Sequence, residues 1–142
     1  SRRDKAIVGR FVDALNAHDT DALASVMAED FTYIDSWREG VTGREPALAA
    51  LRALSASDPD FGIAVDRMDW RDPHVLMMGR VRSRRFGEER RAVWQVRVRD
   101  GQVAEYQTWA EGAPPPMTRT LAPEAVRNMA DRAAQRPEMT GE

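Results

Sequence analysis

In residues 31–37, FTYIDSW, every second position is aromatic or ionisable: Phe31, Tyr33, Asp35 and Trp37. In a strand, alternate side chains share a side. The pattern therefore predicts three rings and one carboxylate on a single face. A carboxylate among rings is partly stripped of water, which disfavours its charged form and suits it to accept a proton near neutral pH. Asp35 is thus a candidate general base, with Tyr33, on the same parity, as a hydroxyl donor. The bland reading is that Asp35 caps a turn before Arg38 or pairs with it at the surface.

A second set of candidates lies near the end of the chain. Asp100-Gly101 joins two strand-like segments, RRAVWQVRVR and QVAEYQTWAE, and both residues tolerate the positive φ of a tight hairpin turn. A two-residue turn pairs Arg99 with Gln102, Val98 with Val103, Val96 with Glu105, Trp94 with Gln107 and Ala92 with Trp109. Paired residues share a face. Arg97 and Arg99 belong in water, so Trp94, Val96, Glu105, Gln107 and Trp109 are expected to face inward, and Tyr106 outward. One extra residue would reverse the assignment. Glu105 could exchange a proton with a substrate, or bind an arginine at a rim. Gln107 could orient a substrate oxygen, or satisfy a nearby backbone group. Trp37, Trp94 and Trp109 could wall a pocket, or fill a core.

The remaining elements must position these residues. Residues 3–17 carry Ile7, Phe11, Ala14 and Leu15 on one helical stripe. A short second helix, DALASVMAE, follows a cap at Asp19 or Thr20. FTYIDSW is the first strand, REGVTG a loop, and REPALAALRALSA a third helix with Pro46 in its first turn. From Phe61 onward the pattern is β: FGIAVDRMDW, HVLMMGRVRSRR, a turn at FGEE, then the hairpin. GAPPPM reads as a stiff linker and APEAVRNMADRAAQ as a terminal helix beyond the main unit. Helices early and antiparallel strands late predict an α+β fold with helices on one face of a sheet. The expected division is a domain over 1–112 and a linker with a short helix or tail over 113–142.

Composition limits the function classes. The 142 residues favour one domain, and the formal charge of -2 argues against coating nucleic acid or an anionic membrane. Without cysteine there is no disulfide, thiolate nucleophile or zinc-thiolate site. His18 and His74 stand apart in sequence, which offers no histidine-rich metal cluster. No apolar run nears the roughly 20 residues of a membrane-spanning helix, and no leader segment is visible, so a soluble cytoplasmic protein is expected. Met68, Met77 and Met78 read as packing. Arg80, Arg82, Arg84, Arg85, Arg90 and Arg91 read as a solvated hairpin compensated by Glu88 and Glu89.

The run AIVGRFVDALNAHDTDALASVMAEDFTYIDSW, then GVTGREPALAALRAL, then the meander ending RDGQVAEYQTW, resembles the nuclear transport factor 2-like superfamily, in its SnoaL-like and ketosteroid isomerase-like branch. The resemblance spans roughly residues 5 to 112. It implies a cone in which a curved sheet wraps the first helix around a pocket, and a homodimer formed through the outer sheet face. It places Asp35 at the general-base position of the isomerases. The isomerases' oxyanion tyrosine and oxyanion acid correspond to Phe11 and a position at or near Trp94, so both of those donors are missing. The acid–base set of epoxide hydrolases is likewise not matched near Thr108. The SnoaL-like cyclases, which use neither metal nor cofactor, pair a first-strand polar residue with one from the last strand, where this chain offers Glu105 and Gln107. The expectation is a cofactor-independent cyclase, isomerase or dehydratase acting on a small hydrophobic carbonyl compound. Asp35, Tyr33, Gln107 and Glu105 would do the chemistry, and Phe11, Trp37, Trp94 and Trp109 would hold the substrate. A ligand-binding domain without turnover, and a dimerisation module, remain the rivals.

Overall fold

A computed structural model describes residues 1–85 and 89–139. The elements run α1 (Arg2–Asn16), α2 (Thr20–Val26), β1 (Met27–Ile34), β2 (Glu39–Thr42), α3 (Arg44–Ser57), β3 (Gly62–Arg71), β4 (His74–Arg82), β5 (Arg90–Arg99), β6 (Gln102–Ala110), α4 (Met117–Leu121) and β7 (Arg127–Asn128). One curved mixed sheet has the order β3-β4-β5-β6-β1-β2-β7, with β1 and β6 parallel and the other pairs antiparallel.

The sheet's inner face wraps α1. The stripe expected from the sequence is the one buried: Ile7, Val8, Phe11, Val12, Ala14 and Leu15. Ser1 Oγ caps α1 by accepting from the Asp4 amide at 3.1 Å, and Asp19 does the same for α2 through Ala22 at 3.0 Å. Such caps satisfy donors that have no partner inside the helix. His18, in the turn between α1 and α2, sits between Ser55 Oγ at 2.6 Å and the Phe61 carbonyl at 2.8 Å. It ties the α1–α2 corner to α3 and to the start of β3.

Three local expectations change. Met27–Glu29 belongs to β1 rather than to the second helix, because Met27 aligns beside Val103 of β6. β2 occupies the segment read as a loop, with Tyr33 opposite Val41. The helix expected over 122–135 is absent. A lone helix of that length is marginal in water, and here the backbone finds better partners: Arg127 and Asn128 pair with Gly40 and Glu39 of β2. The FGEE turn falls mainly on residues 86–88, outside the described residues.

The tail beyond β6 does two things. Residues 114–121 lie over one end of the cone, where Pro114, Pro115, Met117, Thr118 and Leu121 line the interior hollow. The chain then crosses the outer sheet face. Arg132 pairs with Glu105 at 3.1 Å, Gln107 holds Ala134, and Arg71 donates to the Glu138 carbonyl at 2.7 Å. The face through which the resemblance expects dimerisation is thus crossed by the chain's own C-terminal segment. Among the described residues, no helix is long and apolar enough to cross a membrane.

Candidate functional site

The hairpin turn forms as expected, with Asp100 at φ 54 and Gly101 at φ 76. Arg99 pairs with Gln102 and Val98 with Val103. One extra residue, Ala104, then enters β6 as a bulge, and the next pairs are Arg97–Glu105, Val96–Tyr106, Gln95–Gln107, Trp94–Thr108 and Val93–Trp109. Two residues on one strand oppose one on the other, so every side chain beyond the bulge changes face.

The bulge corrects four expectations. Glu105, Gln107 and Trp109 lie on the outer face, remote from the interior. Glu105 binds Arg132 there. Gln107 is buried under the tail: its Oε1 accepts from the Ala134 amide at 3.1 Å, and its Nε2 donates to the Ala134 carbonyl at 3.4 Å. The carboxamide stands in for a strand partner. Tyr106, expected outside, faces inward with Trp94, Val96 and Thr108.

The inward residues surround a cavity of about 140 Å³. Its deep walls are apolar, with Phe11, Leu15, Phe31, Leu51, Leu54 and Trp94 among them. Trp94 is fully buried. Tyr106 packs against Phe11, with ring centroids 5.1 Å apart, and stacks on Tyr33 at 5.7 Å. The polar residues of its lining are Tyr33, Asp35, Ser36, Ser83, Arg90, Tyr106, Thr108 and Thr118.

Asp35 lies just past the end of β1, in the turn to β2, and is 3% exposed. Its Oδ1 accepts from the amides of Trp37 at 2.8 Å and Glu39 at 3.1 Å. Its Oδ2 accepts from the Thr118 amide at 3.1 Å. The one side chain therefore shapes the β1–β2 turn and fastens α4 over the cavity. A carboxylate offers about four acceptor positions; three are taken, and the open one is on Oδ2. The turn-capping reading of Asp35 and its place in the cavity wall are both true of the same side chain.

Trp37 does not wall the cavity. The strand ends before it, and its indole is half exposed, donating to the Pro114 carbonyl at 2.7 Å. The guanidinium of Arg119 lies 5.5 Å from the ring centroid, and Arg119 also pairs with Glu39 at 2.8 Å. Trp37 is thus a clasp for the tail.

Both cavity tyrosines are held neutral. Burial is the largest cause of the rise in the Tyr33 hydroxyl's pKa, followed by the Asp35 and Tyr106 charges, and a hydrogen bond with Thr108 opposes it. Burial likewise pushes Tyr106 well up, against hydrogen bonds with Thr108 and Trp94. A neutral phenol is a hydrogen-bond donor. Tyr33 Oη also lies 3.7 Å from Met117 Sδ, again linking the site to the tail.

The sequence reading missed Tyr106, Thr108, Thr118 and Arg90 as cavity residues. For Tyr106 and Thr108 a signal existed: Val103 and Ala104 are two adjacent small apolar residues where strict alternation asks for one, which fits a bulge. Arg90 is indistinguishable by type from the hairpin's solvated arginines. Thr118 is placed by a fold of the tail that no local pattern announces.

The fold recurs in solved structures. A Jannaschia sp. CCS1 protein bearing the name SnoaL-like polyketide cyclase is 20% identical and has a TM-score of 0.68; the match covers 78% of this chain and 86% of that one. A Kribbella flavida protein named as a ketosteroid isomerase is 23% identical, with a TM-score of 0.68 over 85% of this chain and 88% of that one. An M. tuberculosis LEH-like epoxide hydrolase is 16% identical, with a TM-score of 0.68 over 78% and 84%. At these identities the likeness is one of fold. A comparison with curated proteins finds no match. The SnoaL-like domain family matches residues 8–106, from α1 to the cavity tyrosine of β6. The chain therefore belongs to the SnoaL-like domain family.

Proposed function

We propose that the protein is a cofactor-independent acid–base enzyme acting on a small, largely apolar carbonyl compound. The carrying observation is convergence: Asp35, Tyr33, Tyr106 and Thr108 all border one apolar hollow. Asp35 Oδ2 takes a proton from the carbon beside the carbonyl. Tyr33 or Tyr106, neutral and poised to donate, stabilises the enolate oxygen where the charge develops. Return of the proton to another carbon completes an isomerisation. Tyr106 takes the orienting role that the sequence suggested for Gln107. The apolar walls exclude water, which strengthens each of these interactions.

Cavity size favours a small substrate. An apolar protein cavity near 150 Å³ holds about one benzene ring, and the hollow here is about 140 Å³. The test is conversion of 3-cyclohexen-1-one to its conjugated isomer, followed by ultraviolet absorbance. Wild-type protein is expected to accelerate it. Asp35→Asn should cut the rate by roughly a hundredfold or more, and Tyr106→Phe by about tenfold or more. A thermal melt must accompany Asp35→Asn, because that residue also shapes a turn. Unchanged turnover in a folded Asp35→Asn protein would refute the assignment.

A further inference from the structure

Arg90 opens β5 at the tail-covered end of the cone. Its neighbours locate it: Val81 lies opposite it on β4, and its Nη1 donates to the Glu111 carbonyl at 3.1 Å. Glu111 follows Ala110, whose amide donates to Ser36 Oγ at 2.8 Å, and Ser36 adjoins Asp35. Arg90 and Asp35 thus belong to one rim. Arg90 borders the cavity, yet its Nε is buried with no hydrogen-bond partner, and no carboxylate pairs with it among the described residues. The chain passes close to its guanidinium. At Gly112, where φ is +79, a Cβ would lie 2.8 Å from Arg90 Nη1. That backbone favours glycine, and a larger residue there would push the end of the Arg90 side chain aside. A second buried atom at the same cavity is also unpartnered, the Thr118 hydroxyl.

A guanidinium N–H withdrawn from water without an acceptor is costly. So is a buried hydroxyl with none. Both residues line the cavity, so a small shift of either side chain toward the hollow lets an oxygen-bearing ligand supply the missing acceptor. Asp35 does not: its oxygens accept from the amides of Trp37, Glu39 and Thr118, and neither Arg90 Nε nor the Thr118 hydroxyl bonds to it. Arginine's planar fork matches a carboxylate better than it matches a lone carbonyl oxygen.

We propose that the ligand of this cavity is a small organic acid: its carboxylate sits at Arg90, with Thr118 donating to one of its oxygens, and its apolar body extends toward Phe11, Trp94 and Tyr106. This rests on the cavity being the substrate site and narrows the substrate class from carbonyl compounds to oxo acids. The acid group is held at the rim, and the carbon to be deprotonated is presented to Asp35. Arg90 is then a specificity-determining residue.

The test is calorimetric binding of benzoate and of its neutral isostere benzamide, chosen to match a one-ring cavity. Wild-type protein is expected to bind benzoate at least about tenfold more tightly than benzamide. In Arg90→Gln that preference should collapse to near unity while benzamide affinity holds, which also reports that the pocket is intact. Thr118→Val should weaken benzoate binding several-fold without abolishing the preference. Equal binding of the two probes, no binding of benzoate, or a preference that survives Arg90→Gln overturns the proposal. The cyclohexenone assay uses a neutral probe, so the two readings fail separately. Absent isomerisation with intact benzoate preference removes the acid–base reading alone; isomerisation without the preference removes the acid-ligand reading alone.

Discussion

The β5–β6 hairpin presents two faces with the same kinds of residue and opposite fates. Inside stand Trp94, Tyr106 and Thr108; outside stand Gln95, Glu105, Gln107 and Trp109. Each face has a tryptophan and polar groups that could serve a substrate. The inner set meets an apolar hollow. The outer set meets the chain's own tail, which uses up its hydrogen bonds. Residue type therefore does not separate the catalytic candidates from the structural ones; one bulge at Ala104 does. The contrast can be tested first through the two tryptophans. Trp94 is fully buried, so Trp94→Ala should cost about 3–5 kcal/mol in denaturant unfolding. Trp109, partly exposed on the outer face, should cost about 1 kcal/mol on the same truncation. Equal losses would contradict the face assignment.

The second test concerns how the outer face holds the tail. Gln107 is 2% exposed and makes both of its bonds to Ala134. Gln107→Ala removes both partners of that backbone unit, and a buried polar group left unpaired costs about 1–3 kcal/mol. Limited proteolysis should show faster cleavage between residues 129 and 139, with the cleaved bond identified by mass spectrometry. Glu105→Gln, which loosens only the partly exposed pair with Arg132, should shift stability by about 1 kcal/mol or less. If proteolysis is as fast in Glu105→Gln as in Gln107→Ala, the carboxamide is not what fastens the strap.

These differences also mark how far the residues spoke for themselves. The α1 stripe, the Asp100-Gly101 turn and the cone are legible, because each rests on local periodicity, on positive-φ tolerance or on the family resemblance over roughly residues 5 to 112. Strand alternation from Phe31 nearly to the turn carries Tyr33 and Asp35 to the cavity wall. Alternation ends before Trp37, where the chain has left β1. The register beyond Val103 was not legible, since an inserted residue flips a face while leaving composition unchanged. The tail was least legible. Its partners are a backbone edge on β2 and a glutamine on β6, and neither leaves a periodic mark in residues 122–135.

A smaller effect contrasts the faces through alkali. Tyr106 inside has its pKa raised chiefly by burial, whereas an unfolded tyrosine titrates near 10. The neutral form is favoured in the fold, so its contribution is complete below about pH 10. It declines above that as the unfolded chain releases its proton first, by at most about 1.4 kcal/mol per pH unit for one group. Melts from pH 9 to 11 should fall more steeply in wild type than in Tyr106→Phe. Parallel curves would mean that the phenol already reaches solvent.

The smallest effect belongs to the outer face in acid. His74 opens β4 opposite Arg97. Burial lowers its pKa most and the Arg97 charge adds to that, while Glu105 and Asp72 oppose it. The folded protein thus disfavours the imidazolium more than the unfolded chain does, whose histidine titrates near 6.5. The sign is opposite to that of the tyrosine: stability is intact above about pH 6.5 and declines as pH falls through the lowered folded value. His74→Gln removes the titration but keeps a polar side chain, so its melting temperature should fall less than that of wild type between pH 7 and 5. Glu105→Gln should steepen the wild-type decline, because it deletes a charge that favours the imidazolium. That response would tie His74 to the charges of the outer face, and an unaltered slope would sever the link.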